Sequence, residues 1–472
     1  MLHSRRMFPI TIITLIAASV CEWIGATFPT PVAYAKFVPE LLSMVITIAV
    51  LLEGMRKGFS LVSAKYWAAF GICVFIIVCA FLANSEEPGP VVAGMRSYLR
   101  AMPMFLIPAV FQFNEKQQKL ILKVLLFIAL AQVPLACYQR YVIWAAGRFS
   151  GDDVRGTATD SGVLSTFLVA AAVVWLAYFM RKEIKRSLFI AIFLALLLPT
   201  MINETKATVI LLPLGLLVTV VAGSAPGQRV KVFSTAMALL IVVGSIMVPV
   251  YDYFAQNNPY KSQQHLLDFF TNEKSMDTYM NTKGGTGLGS HKQARRGDAI
   301  RIPLQYLSKD PVKLAFGLGL GNASHSNLGE QFTGRYYDLF QAFAYISFSI
   351  FLLEIGVMGT VIVFTLYALV FFDAIFVARR DPDKLIGTFA VGYIGVVAVI
   401  SASTFYSAIH TYGILSYLYW FGAGMVAARR VQLTQEARAP TRQTFRDLRQ
   451  QRAADAASVG FVASRNNQDR LN

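Results

Sequence analysis

Long apolar runs, each close to the length of a membrane crossing, recur along the whole chain and restrict its fold more than any other feature. By hydropathy they fall near 9–28, 37–53, 66–84, 99–113, 119–143, 162–180, 187–202, 207–223, 232–250, 341–377, 386–406 and 411–428. About 20 apolar residues cross ~30 Å of hydrocarbon as a helix. Backbone polar groups find no water there, so each run has to be helical. The expected fold is all-α: a polytopic integral membrane protein with about 12 transmembrane helices. Only 15% of the residues are charged, against roughly a quarter in a soluble chain.

The N-terminal apolar run follows Arg5 and Arg6, as in a signal peptide. No small-x-small site closes it, Val20 precedes Cys21 where a lipoprotein site wants a small residue, and the run continues to about Phe28. It reads as a first span. Cys21, Cys73, Cys79 and Cys137 all lie inside apolar runs, so neither a structural disulfide nor a cysteine metal site is expected.

Lysine and arginine set the orientation. Arg5/Arg6, Arg56/Lys57, Lys116/Lys119, the cluster Arg181–Arg186, Arg229/Lys231, Arg379/Arg380/Lys384 and Arg429/Arg430 fall on every second connection. The positive-inside rule then places both termini in the cytoplasm. The net charge of +16 follows from this bias and from contact with the anionic leaflet. No nucleic-acid module accompanies it, so nucleic acid is not an expected partner. The chain divides into nine spans over 1–250, a large periplasmic loop over 251–340, three spans over 341–428 and a basic cytoplasmic tail over 429–472.

The 251–340 loop is by far the longest, and loops of that length usually carry function. A flexible stretch, Gly284–Gly289, precedes Arg295-Arg296. From Arg296, apolar residues recur at Ile300, Leu304 and Leu307, which predicts an amphipathic helix ending before Lys309-Asp310-Pro311. Pro303 within it is expected to kink or shorten it. Then come Gly317, Gly319 and Gly321, followed by Ser324, His325, Ser326 and Asn327. Three alternating glycines allow a sharp turn and a close ligand approach, but this is not the dinucleotide GxGxxG pattern. The run 341–377 is too long for one crossing; an interfacial helix over Asp338–Ser349 and a break near Glu354-Ile355-Gly356 are expected.

This pattern resembles the O-antigen ligase and Wzy-type polysaccharide polymerase superfamily over roughly residues 150–380. The resemblance is carried by Arg296, Pro311, the Gly317-Gly319-Gly321 turn, His325 with Asn327, and Glu354-Ile355-Gly356-Val357-Met358-Gly359. Arg155-Gly156-Thr157 and Asn203-Glu204-Thr205-Lys206 are similar to two earlier far-side marks. Ser326 separates His325 from Asn327, and Lys206 stands where arginine is commoner. The resemblance implies a bacterial inner-membrane, inverting glycosyltransferase that uses an undecaprenyl-diphosphate-linked oligosaccharide.

The chemistry of such a substrate is consistent with the residues present. A diphosphate wants convergent cations, and guanidinium offers bidentate geometry. Arg155, Lys206, Arg295 or Arg296, Arg301 and Arg335 are all expected on the far side, with Asn327 and the glycine turn contributing to diphosphate or glycan binding. Adjacent Arg295 and Arg296 are not distinguished by pattern. An acceptor hydroxyl wants a base near neutral pKa, which suits His325. Arg296 and His325 are thus the candidate catalytic pair. Each has a plain alternative: far-side cations also pair with lipid headgroups, a loop histidine need not act, and Glu354 at an interface is commonly a structural hydrogen-bonder. Asp298, Asp310 and Glu330 lack metal-site spacing, so neither metal nor cofactor is expected. The expected function is polysaccharide polymerisation (exopolysaccharide or O-antigen), with ligation to lipid A-core as the near alternative and a lipid-linked oligosaccharide flippase from another class. Membrane lipids are partners in each case, and a chain-length regulator remains open.

Overall fold

The computed structural model describes residues 4–84, 87–143, 151–224, 227, 229–256, 265–280, 288–289, 294–326, 328–381 and 383–438. Asn327, most of the 284–289 glycine run and residues 439–472 of the basic tail lie outside the described residues. Among the described residues the regular structure is helical, with no strand. In chain order the helices are α1 (Ser4–Thr27), α2 (Val38–Lys57), α3 (Ala64–Asn84), α4 (Pro88–Leu99), α5 (Met102–Phe111) and α6 (Glu115–Tyr138). Next come α7 (Ser161–Met180), α8 (Arg186–Ile202), α9 (Thr208–Gly223), α10 (Arg229–Gln256), α11 (Leu266–Thr271) and α12 (Glu273–Met280). The last are α13 (Asp298–Leu307), α14 (Pro311–Phe316), α15 (Tyr337–Phe340), α16 (Ser347–Arg380), α17 (Lys384–Ser403) and α18 (413–438).

Seven helices, α1, α2, α3, α6, α7, α16 and α17, are long and apolar enough to cross a membrane. Shorter apolar helices cover Met102–Phe111, Arg186–Ile202, Thr208–Gly223 and Leu240–Gln256. The chain is an α-helical, multi-pass membrane protein. Its outer helices are built inside out: on α2, Leu41, Met44, Ile48, Leu52 and Met55 form an exposed stripe at helical spacing, while Glu40, Ser43 and Glu53 are buried. That is the pattern of a helix whose solvent on one side is lipid. At the centre, α17 packs on α7, α9 and α16. Gly392 and Gly395 let α17 approach closely; a Cβ there would overlap the Val174 Cα and the Thr219 hydroxyl. Small residues at such crossings replace the hydrophobic driving force that lipid removes.

Ion pairs tie both ends of the bundle. At the Lys/Arg-rich end, Asp373 of α16 is fully buried and is held by Lys65, Arg430 and the Tyr66 hydroxyl at 2.7 Å. Arg429 pairs with Asp381 there at 2.7 Å. At the opposite end lies the segment between α10 and α16.

In that segment α13 forms where the apolar spacing predicts it. Pro303 does not end it. Proline removes the amide that would bond the Ala299 carbonyl one turn earlier, and the buried Ser349 hydroxyl of α16 donates to that carbonyl instead. Asp310 then caps α14, accepting from the Val312 and Lys313 amides. The Val312 amide, followed by that of Lys313, holds its carboxyl below the ordinary range. The glycine turn follows, with φ of 84°, 101° and 80° at Gly317, Gly319 and Gly321, a region other residues reach only with strain. Leu318 N–H donates to the Leu353 carbonyl at 2.6 Å. Gly356 breaks α16 with φ 65° and ψ −170°, where the sequence pattern places a break. Gly317 and Gly356 pack backbone to backbone.

Close packing between Gly94 of α4 and Gly321 is testable. A Cβ at Gly94 would meet Gly321 N at 2.5 Å, and one at Gly321 would overlap the Pro90 carbonyl. Gly94→Ala is expected to lose about 1–3 kcal/mol, the usual result of overpacking, read as a lower Tm in detergent. Gly71→Ala, where a Cβ meets nothing within 4 Å, is expected to leave stability unchanged or raise it by up to about 1 kcal/mol of helix propensity, read as an equal or higher Tm.

Candidate functional site

The glycine turn, α4 and the bend between α17 and α18 enclose a polar cavity of about 470 Å³ at the end of the bundle opposite the Lys/Arg-rich loops. Its charged walls come from four separate elements. Arg96 and Arg100 stand one turn apart on α4 and its end, so they share a face. Arg96 makes a bidentate pair with Glu40 of α2, 2.6 Å on each branch. Arg100 reaches Glu40 at 2.9 Å and Glu22 of α1 at 3.0 Å, and also donates to the Thr411 carbonyl. Glu22 in turn accepts the Gly413 amide at 3.0 Å. The two arginines are thereby fixed and neutralised before any ligand arrives. Lys36, on the 3-10 turn Val32–Phe37, also lines the cavity. It lies 5.2 Å from the Phe37 ring centroid and has no carboxylate partner among the described residues.

Glu354 enters from α16 just before the Gly356 break. It is 1% exposed, and its Oε1 accepts the Ser324 hydroxyl at 2.6 Å. The amides of Gly321 and Ala323 also approach this carboxylate. The Tyr98 hydroxyl faces it without closing a hydrogen bond on it. His410 packs between the rings of Tyr98 and Phe351, with centroids at 5.3 and 4.8 Å. Its Nδ1 lies 2.8 Å from the Ser347 hydroxyl. Burial first, then the charge of Arg100, pulls His410 down to about 3, so the ring is neutral. Burial pushes Tyr98 well above its ordinary value. Beneath these two residues a small apolar cavity of about 70 Å³ is lined by Cys73, Ile77, Met102, Phe351 and Trp420.

Of the residues singled out from sequence, His325 and Gly321 line the polar cavity, together with Ser324 and Ser326. His325 is half-exposed at its mouth, 3.7 Å from the Glu330 carboxylate, with its ring 5.4 Å from that of Tyr337. Gly317 and Gly319 shape the turn without lining the cavity. Arg296 is separated from Arg295 by its surroundings: its guanidinium lies over Tyr345 and Tyr406, at 4.7 and 4.8 Å, whereas Arg295 is exposed. Arg296 does not line the cavity itself; Tyr345, which it covers, directly follows the lining residue Ala344. Arg155 is half-exposed and bonded to Asp153 at 3.0 Å and to the Thr159 carbonyl at 3.2 Å; Thr159 lines the cavity.

The other cations are elsewhere. Lys206 lies 3.5 Å over the Phe269 ring. Arg301 pairs with Asp298 on its own helix at 2.8 Å. Arg335 donates to the Asn84 carbonyl at 2.8 Å. Arg96, Arg100, Lys36, Glu22, Glu40 and His410 were not singled out from sequence. One signal was available: two arginines four residues apart on the side that positive-inside keeps poor in cations, with lone glutamates at the edges of two other apolar runs. Among the described residues no group of three or more His, Cys, Asp or Glu is placed to hold a metal ion. A separate groove of about 360 Å³ between α6, α7, α17 and α18 is almost wholly apolar and carries no comparable chemistry.

No protein-family model matches the chain, and no curated protein does.

Glu40 is the hinge of this network. Glu40→Gln leaves Arg96 and Arg100 buried with one carboxylate fewer, and removing one partner of a buried pair costs about 3–5 kcal/mol. Because the Arg96 side chain is 19% exposed, the lower end is expected, read as a fall in Tm. The double variant Glu40→Gln/Arg96→Gln is expected to recover part of it.

Proposed function

We propose that this chain is an inner-membrane polysaccharide polymerase that transfers glycan from an undecaprenyl-diphosphate-linked donor to a lipid-linked repeat unit within the polar cavity. In this reading about 12 helices cross the membrane, the shorter apolar helices and α18 completing the set. Both termini face the cytoplasm and the cavity opens to the periplasm. The observation that carries the reading is the convergence of His325 and the Gly321 turn with Arg96, Arg100 and Lys36 around one cavity.

The chemistry runs as an inverting displacement. An acceptor hydroxyl oxygen attacks the anomeric carbon, the bond from that carbon to the diphosphate oxygen breaks, and the hydroxyl proton passes to His325. His325 is half-exposed at the cavity mouth, so it can pass that proton on to water. Negative charge builds on the departing diphosphate. Lys36, whose ammonium has no carboxylate partner among the described residues, faces it, with Arg96 and Arg100 already oriented by Glu40 and Glu22. Preorganised cations of this kind stabilise a charged leaving group without reorganisation. Arg296 does not line the cavity; it supports the wall beside Ala344 through Tyr345.

Alanine variants in the native host separate the readings. His325→Ala is expected to reduce long polysaccharide by about 10²-fold or more, the usual contribution of a general base, with single repeats retained on a gel. Arg296→Ala is expected to give a milder shortening. Accumulation of long carrier-linked polymer that never reaches lipid A-core would instead indicate a ligase. Repeat units trapped on the cytoplasmic side would indicate a flippase, and wild-type chain lengths in both variants would remove these two residues from the mechanism.

A further inference from the structure

Two buried polar atoms at the floor of the cavity lack hydrogen-bond partners among the described residues: Tyr98 Oη and His410 Nε2. They stand together, since the two rings are 5.3 Å apart and both residues form the boundary between the polar cavity and the apolar one below. A buried polar group left unpaired is costly, and two at one spot call for a ligand.

Their hydrogen positions can be assigned. Ser347 is fully buried. Its oxygen accepts the His410 amide at 3.4 Å, and among the described residues Nδ1 of His410 is the one acceptor beside its hydroxyl. The serine proton therefore goes to Nδ1. A neutral imidazole with Nδ1 accepting carries its hydrogen on Nε2. His410 Nε2 and Tyr98 Oη are then both donors. The Glu354 carboxylate, which the Tyr98 hydroxyl approaches, lines the same cavity as His410 and is an acceptor.

We infer that Tyr98, His410 and Glu354 form a subsite for one sugar hydroxyl, which accepts from Tyr98 Oη–H and His410 Nε2–H and donates to Glu354. A hydroxyl has two acceptor lone pairs and one donor hydrogen, so all its valences are met. A phosphoryl oxygen has no hydrogen for Glu354 and would set its charge against a buried carboxylate. This hydroxyl anchors the acceptor sugar; the attacking hydroxyl is the one at His325, nearer the mouth. The inference deepens the glycan-transfer reading and rests on it for the identity of the ligand.

The test uses the purified full chain with a lipid-diphosphate-linked donor and a lipid-linked acceptor. Because the Tyr98 hydroxyl approaches Glu354 but closes no hydrogen bond among the described residues, Tyr98→Phe is expected to change Tm little. It should raise the KM for acceptor about 3- to 10-fold, the worth of one neutral hydrogen bond, with the donor KM unchanged. His410→Phe should shift the acceptor KM in the same direction, and His410→Gln, which restores an N–H donor, should bring it back. An unchanged acceptor KM in Tyr98→Phe overturns the subsite, as does a rise in donor KM alone, which would make it a phosphate site. If the wild-type chain makes no product at all, the transfer reading is what fails, and the subsite falls with it.

Discussion

The contacts of Gly94 with Gly321 and of Gly317 with Gly356 hold the polar cavity in place. Irregular backbone at the edge of a bilayer is tolerated only where its amides and carbonyls are paired within protein. Parts of the described segment 308–326 and 328–346 pack directly on α4 and α16. Leu318 donates to the Leu353 carbonyl, and Asn84 donates to the Gly317 carbonyl at 3.1 Å. Such contacts need backbones closer than side chains permit, hence glycine on both partners. The break in α16 at Gly356 comes from the same contact, and it sets the depth at which Glu354 enters the cavity.

Charge is handled differently at the two ends of the bundle. At the Lys/Arg-rich end, Asp373 is surrounded by Lys65, Arg430 and Tyr66. At the other end, Glu22 and Glu40 orient Arg96 and Arg100 along a space large enough for a ligand. Carboxylates that merely neutralised these arginines would lower their pull on an anion. Held at the wall beside Lys36, which has no carboxylate partner among the described residues, they instead give a site that is rigid before binding, and rigidity is what electrostatic stabilisation requires.

The apolar membrane helices as a class and α13 were legible because their signal is local. Apolar runs, a 3.6-residue period from Arg296, and the paired punctuation of Asp310 and Pro311 each lie within one element. His325 was legible for the same reason, since it directly follows the glycine turn. The remainder of the cavity was not. Glu22, Glu40, Arg96 and His410 come from four distant stretches, and only tertiary packing brings them together. Arg155, Lys206, Arg301 and Arg335 illustrate the converse limit. Charge bias gives them an expected side, but whether a cation faces a cavity, as Arg96 does, or a local partner, as Arg301 faces Asp298, depends on neighbours that the pattern does not encode. The fate of Pro303 is similar: its missing amide predicts a shortened helix, and the Ser349 hydroxyl that compensates lies 46 residues later in the chain.

The proposed reading asks two things of one place: cations fixed along the cavity wall, and hydrogen-bonding groups deeper in the same cavity. The most direct measurement places the purified full chain in vesicles with a single lipid-diphosphate-linked repeat unit and follows both products. The account predicts extended glycan together with one released undecaprenyl diphosphate for each linkage formed. Repeat units that stay unextended, or that cross the bilayer without being joined, would contradict it.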